Sequence, residues 1–166
     1  MKIYLLNNRI LIKNFVYKNI NNEYIGWFNG KNESLKYSRH YKKKYSRGYL
    51  IKNYFKLKKS NNFFLAIFDK RKKLLVGTMI INKDMKRNGF NVGIFLGNKK
   101  YNSKGYAYES IKLFIKFAFK KLKIRSISAG TDTKNIPMIK LMKRLKMKKL
   151  PRKNSKSVIF EIKNKI

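Results

Sequence analysis

Cysteine is absent from this chain of 166 residues, and with it go disulfides, thiolate metal sites and thiol nucleophiles. Histidine occurs once, at His40, which is too few for the common His-rich zinc sites, so no metal is expected. Carboxylates are scarce as well. Seven Asp and Glu stand against 43 Lys and Arg, for a formal charge of +36, and a general base has to be found among very few residues. Nor is there an uncharged apolar run long enough to cross a bilayer, so no membrane span is expected. The opening Met1-Lys2-Ile3-Tyr4-Leu5-Leu6 is interrupted by Asn7, Asn8, Arg9 and Lys13 before it reaches the length of a signal peptide. A cytoplasmic protein is expected.

What is present suits one packed domain over residues 1–166: 43% of residues are hydrophobic, 14% are aromatic, and no linker or internal repeat interrupts them. The basic residues are dispersed, in Lys42-Lys43-Lys44, Lys58-Lys59, Lys70-Arg71-Lys72-Lys73, Lys120-Lys121 and Lys148-Lys149. Lys, Asn, Ile, Phe and Tyr all have A/T-rich codons and are enriched together, so base-composition drift is one reading of the excess and an electrostatic role is the other. Weak sticking to RNA or anionic surfaces follows from such a charge. No RNA-binding signature is visible, and no specific nucleic-acid partner is expected.

Asn7-Asn8 reads as a tight turn between strands at 3–6 and 10–15. A short helix is expected over 19–29. A second, N-capped by Ser46, should run to about Lys58, because Tyr49, Leu50, Tyr54 and Leu57 recur at helical spacing. Hairpins follow: a buried strand at 63–68, a turn at 69–73, a strand at 74–82, a turn at 86–89 and a strand ending at Leu96. Successive hairpins predict an antiparallel sheet. From Gly105 onward Tyr108, Ile111, Ile115, Ala118, Phe119 and Leu122 mark one helical face, with Lys112, Lys116 and Lys120 on another. A strand through Ile127, Ala129 and Thr131, a helix with Pro137 in its first turn running to about Met147, and a strand at 156–162 complete an α/β (α+β) pattern.

The most informative stretch is Asn98-Lys99-Lys100-Tyr101-Asn102-Ser103-Lys104-Gly105-Tyr106-Ala107, which joins Val92-Gly93-Ile94-Phe95-Leu96 to the long amphipathic helix. A turn of small and basic residues between a strand and a helix N-terminus aims several N–H groups at one place, and that place attracts an anion. Gly105 permits close approach, the helix macrodipole adds partial positive charge, and Lys99, Lys100 and Lys104 supply full charges.

Gly105 and Ala107, with Asn102 three residues before the glycine, resemble the acyl-CoA pyrophosphate loop of the GCN5-related N-acetyltransferases (GNAT), Gln/Arg-x-x-Gly-x-Gly/Ala. Tyr-x-x-Lys-Gly-Tyr-Ala-x-Glu, from Tyr101 to Glu109, is similar to the branch that acetylates ribosomal-protein N-termini and its relatives acting on amino sugars. Arg9-Ile10-Leu11-Ile12-Lys13, Tyr24-Ile25-Gly26-Trp27-Phe28-Asn29 and the run from Ala129-Gly130-Thr131 to Asn135 extend the resemblance along most of the chain. Asn102 stands where Gln or Arg is usual, and the chain departs from the pattern at three further places. Asn91 replaces a Glu, Lys146-Met147 replaces a closing Gly-Phe, and Met142 replaces a Tyr that in some members protonates the leaving thiolate.

The resemblance implies a single domain with a mixed, mainly antiparallel sheet and helices on both faces. Its fourth and fifth core strands should diverge near Phe95 and Ala129. It also implies acetyl-CoA as acetyl donor. Backbone at Ile94, Phe95 and Leu96 would bond the pantetheine arm, backbone from Asn102, Ser103, Lys104, Gly105, Tyr106 and Ala107 would take the pyrophosphate, and Asn135 would reach the pantetheine or the leaving sulfur.

Acetyl transfer to an amine needs a thioester beside a deprotonated amine, a polarised carbonyl and routes for two protons. A lysine-like amine titrates near ~10.4 and an α-amine near ~8, so deprotonation has to be assisted. His40 is the first candidate. It lies in Lys36-Tyr37-Ser38-Arg39-His40-Tyr41, in the region that lines the acceptor pocket of the resembled family, with Trp27, Asn29, Tyr37 and Arg39 as companions that would bind substrate. Asp132, just past the fifth core strand, is a second candidate for the catalytic base. Each has a plain structural alternative, as a loop histidine, a core tryptophan or a turn aspartate.

Three functions fit these residues. The first is N-acetylation of a small-molecule amine, a nucleotide-linked amino sugar ahead of others, with Arg39 and nearby lysines on a diphosphate and His40 and Asn29 on sugar hydroxyls. The second is acetylation of a protein N-terminus, where the charge would favour the ribosome yet repel a basic tail. The third is a non-catalytic basic module that binds RNA or holds CoA structurally, which the missing Tyr and Glu keep open. A homodimer is left open as well.

Overall fold

The computed structural model describes every residue except 31, 33, 34, 39, 61, 152–155 and 166, and at position 86 the backbone alone. The strands are β1 (Tyr4–Leu6), β2 (Ile10–Asn14), β3 (Phe63–Asp69), β4 (Leu74–Asp84), β5 (Gly89–Leu96), β6 (Ser126–Asp132), β7 (Lys148–Lys149) and β8 (Ser157–Lys163), with β3 and β4 continuous apolar runs buried on both faces and β7 two exposed lysines. They form one sheet in the order β1-β2-β3-β4-β5-β6-β8-β7. Neighbours are antiparallel except β5 and β6, which run parallel. The expected mixed, mainly antiparallel sheet is therefore present.

Four α-helices flank it: α1 (Asn22–Asn29), α2 (Arg47–Lys59), α3 (Tyr106–Lys121) and α4 (Ile136–Arg144). Alternation along β3 shows how both faces are used. Leu65 and Ile67 join a core with Ile111 and Phe114 of α3 and Met142 of α4, whereas Ala66 joins a second core with Tyr24 and Trp27 of α1 and Leu50 and Tyr54 of α2.

Three of the helices begin on a capping side chain: Asn21 accepts from Tyr24 N–H, Ser46 from Tyr49 N–H and Asn135 from Met138 N–H. The Asn21 cap also divides the stretch expected as one helix, leaving a 3₁₀ turn at Tyr17–Asn19 ahead of α1. α3 is different. It starts on Gly105, which has no side chain to cap it.

α4 stops at Arg144, three residues short of Met147. Lys146 turns left-handed, with φ 60°, and the N–H groups of Lys146 and Met147 close back on the carbonyls of Lys143 and Met142. This is where the resembled pattern has glycine. The two-residue β7, unforeseen in the sequence, follows from that turn.

The pairing of β5 with β6 ends at Asn91 and Ser128, and Asn91 Nδ2 donates to Ser128 Oγ across the fork at 3.1 Å. From Val92 onward the edge of β5 facing β6 has no strand partner, so the strands part slightly before Phe95.

Candidate active site

A cleft of about 760 Å³ opens between the parted strands and runs to the N-terminus of α3. Its floor is the β5 stretch Ile94, Phe95 and Leu96, and its walls include Gly130 and Thr131 of β6. The loop at its mouth is shaped by two left-handed residues, Ser103 at φ 59° and Gly105 at φ 84°. The first bond of the α3 ladder runs from Glu109 N–H to Gly105 C=O at 3.0 Å, so the N–H groups of Tyr106, Ala107 and Tyr108 lie outside it. With no capping side chain in the way, these donors and the positive end of the helix face the cleft. A β-carbon on Gly105 would meet Glu109 Oε1 at an ordinary 3.7 Å, so the demand for glycine comes from φ.

The loop is braced from behind. Arg9 holds Glu109 Oε1 at 2.7 Å and donates to Lys104 C=O at 3.0 Å, and Asn7 Nδ2 donates to Glu109 Oε2 at 3.0 Å. The Tyr106 hydroxyl donates to buried Asp69 at 2.6 Å. Burial by itself would raise the Asp69 carboxyl. The N–H groups of Lys72 and Arg71 and the Tyr106 hydroxyl outweigh it and hold the group below the usual carboxylate range. Burial and the same carboxylate push the Tyr106 hydroxyl up, keeping it a donor.

Ile94, Phe95, Leu96, Asn102, Ser103, Gly105, Tyr106, Ala107 and Asn135, named from sequence for the donor, all line this one cleft, and Tyr37 joins them. Lys104 does not: it is exposed, and its carbonyl is turned to Arg9. Asn135 is committed within the protein, accepting from Met138 N–H at 3.3 Å and donating to Thr131 Oγ1 at 2.9 Å. Met142 is fully buried, so no acid reaches the cleft from that position.

The other residues named from sequence sit behind or beside the cleft. Trp27 is 6% exposed and packs so closely on Gly97, where β5 leaves the sheet, that a β-carbon there would overlap the indole. Asn29 clasps the backbone of Tyr45 in both directions, at 2.7 and 2.8 Å, which spends its amide on the loop and not on a ligand. His40 is half-buried behind Ser38, a residue of the cleft wall. Its Nδ1 is 2.7 Å from the Tyr45 hydroxyl and its ring meets Phe28. Asp132 forms a turn, accepting from Lys134 N–H at 2.8 Å, and is not part of the cleft lining. Arg39 lies outside the described residues.

Sequence reasoning missed Lys140, Arg144 and Tyr108. Arg144 lies 4.2 Å over the Tyr108 ring, and both line the cleft with Lys140. Lys140 and Arg144 are four apart and so share a helix face, but only the packing of α4 beside α3 aims that face at the loop. Asn32 was missed too: buried, it donates to the carbonyls of Trp27 and Gly97 and ties the start of the loop to the end of β5. Among the described lining residues there is neither a carboxylate nor an imidazole. A larger depression, about 910 Å³, lies at the far end of β5 around Gly89 and Phe90, away from both the fork and the α3 N-terminus.

A forked sheet with an uncapped helix N-terminus at its mouth defines a domain suited to an extended, phosphorylated ligand lying along a strand edge. The sequence profile described as Acetyltransferase (GNAT) domain matches residues 15–148, and the chain belongs to that family. Two curated relatives from Bacillus subtilis, the uncharacterized N-acetyltransferase YnaD and the probable N-acetyltransferase YjcK, are each 28% identical, over 75 and 106 residues. The matches cover 45% and 61% of this chain but only 44% and 58% of the relatives. Among solved structures, a GNAT-family acetyltransferase from Bacillus anthracis superposes with a TM-score of 0.80 at 21% identity, over 99% of this chain and 100% of its own. A spermidine N-acetyltransferase from Vibrio cholerae, in complex with CoA and spermine, gives 0.78 at 15% identity, over 95% and 97%. At these identities the solved structures speak for the fold. CoA chemistry fits the residues present, because the α3 N-terminus offers unladdered N–H groups, a glycine at the left-handed φ that the loop requires, and Arg144 in the cleft lining.

Proposed function

We propose that the protein transfers the acetyl group of acetyl-CoA to the primary amine of a small anionic molecule, a nucleotide-linked amino sugar ahead of other acceptors. The observation that carries the acceptor is the distribution of charge. No carboxylate lines the cleft among the described residues, and the sequence from 34 to 68, from which Tyr37 and Ser38 reach the cleft wall, contains none at all. A polyamine or a basic peptide tail would meet cations there with nothing to pair with, whereas a diphosphate would be drawn in.

The same field helps the chemistry. Like charges nearby disfavour an ammonium ion, so an amine brought into this cleft gives up its proton more readily than in water. A bound thioester supplies the acyl carbonyl: the amine nitrogen forms the new bond to carbon, the carbon–sulfur bond breaks, and a proton ends on the sulfur. The loop from Asn102 to Ala107 holds the phosphates, the free edge of β5 orients the arm, and His40 receives the ammonium proton by way of water before attack, while the second proton passes from the acylated nitrogen to the leaving sulfur.

A CoA-release assay over nucleotide-linked amino sugars, free amino sugars, spermidine and basic peptides tests this reading. The highest kcat/KM is expected for a nucleotide-linked amine, falling as salt is added. Preference for spermidine or a basic peptide would overturn the acceptor, and acetyl-CoA binding without transfer to any acceptor would leave a non-catalytic CoA-binding module.

A further inference from the structure

Tyr37-Ser38-Arg39-His40-Tyr41 is followed, after Lys42-Lys43-Lys44, by Tyr45-Ser46-Arg47-Gly48-Tyr49. The pattern Tyr-Ser-Arg-x-Tyr thus occurs twice in thirteen residues, bridged by three lysines; Tyr45 packs on the core and Ser46 caps α2, which leaves exposed Arg47 and Tyr49 to be explained. The first copy reaches the cleft, where Tyr37 and Ser38 form part of the wall. The second opens α2, and there the Tyr45 and Tyr49 rings stack, with centroids 4.9 Å apart and planes 25° from parallel.

That stack is rigid at its base and open at its top. Asn29 pins the Tyr45 backbone from both sides, His40 Nδ1 meets its hydroxyl at 2.7 Å, and Phe28 packs edge-on against its ring at 5.9 Å. Tyr49, in contrast, is 51% exposed. Exposed Lys42, Lys43, Lys44 and Arg47 flank the pair along the chain, with Lys42 Nζ 5.6 Å over the Tyr41 ring. An ordered aromatic face among cations is what a nucleotide requires, since the face takes a base of any kind and the cations take its phosphates. Position agrees with composition. Ring contacts of 5.3 Å from Phe95 to Phe28 and 5.9 Å from Phe28 to Tyr45 link the β5 floor to the stack through a single intervening ring.

We infer that the Tyr45–Tyr49 stack, with Lys42, Lys43 and Arg47 beside it, is a nucleotide-binding platform that holds the base and diphosphate of the acceptor while its amine reaches the fork. This rests on the anionic-acceptor reading above. The test is calorimetric titration of UDP into protein already saturated with CoA, so that the donor cleft is filled. Saturable binding is expected. Tyr49→Ala should weaken it by about 10-fold, Tyr49→Phe should leave it near wild type, and inorganic pyrophosphate should bind more weakly and indifferently to either change. Unchanged melting temperatures exclude a folding defect as the cause. Absence of UDP binding, or equal affinity in Tyr49→Ala, would overturn the platform. An eight-nucleotide single-stranded RNA binding far more tightly than UDP, with the same dependence on Tyr49, would overturn the small acceptor in favour of RNA. If UDP binds as expected but no amine is acetylated, the platform stands and the transferase reading falls.

Discussion

On the α3 side of the cleft the ligand-facing groups are peptide N–H groups of one short loop, braced by Arg9, Asn7 and Asp69; on the Tyr37 side they are side chains of a segment pinned from a distance by Asn29, Asn32 and His40. The two walls therefore fail in different ways. The first is expected to tolerate most side-chain changes and to be broken by a change of backbone, while the second is expected to keep its backbone through many changes and to lose function when one ring or imidazole is removed.

Gly105→Val attacks the first wall where it is weakest, placing a branched side chain at φ 84° in front of the N–H groups. The dissociation constant for acetyl-CoA should rise by more than about 10²-fold, while Lys104→Ala, which removes a charge and no N–H group, should change it no more than about 3-fold. Calorimetry on both variants settles the comparison, and similar losses would mean that charge, not backbone, holds the donor.

His40→Ala tests the second wall. Turnover should fall by about 10²-fold with the affinity for acetyl-CoA unchanged, and the low-pH limb of the kcat profile should disappear. A loss confined to acetyl-CoA affinity would place His40 on the donor side and erase the division.

Tyr106→Phe probes the brace. It removes a buried bond to a carboxylate and should cost about 2 kcal/mol in urea unfolding at pH 7. Because the folded protein holds Asp69 below the usual range, its contribution is in place above the unfolded value of about 4 and is lost as pH falls through the lower folded value. The variant and the wild type should therefore converge in acid. A constant difference at all pH values would assign the loss to packing.

The smallest effect belongs to a position outside both walls. Lys146 adopts φ 60° in the turn that ends α4, where glycine meets no β-carbon penalty. Lys146→Gly should raise stability by about 0.5 kcal/mol in thermal unfolding, the gain reduced by the greater freedom of glycine in the unfolded chain, and should leave both walls untouched.

What the amino-acid sequence by itself determined are the features that depend on neighbours along the chain. Apolar runs bounded by turns specified the strands from 63 to 96, Ser46 specified the start of α2, and a small, basic turn ending in Gly105 specified an open helix N-terminus, because caps, turns and backbone donors are decided within a few residues. What only the tertiary structure decided are meetings between distant segments. Asn29 was as readable as a ligand group as it was as a clasp until Tyr45 arrived beside it. Trp27 needed Gly97 to show that it is core, and Arg144 needed Tyr108 to become part of the cleft. A side chain's hydrogen-bonding capacity is written in its chemistry, but which partner uses it first depends on what the fold brings within a few ångströms, and no local pattern encodes that distance.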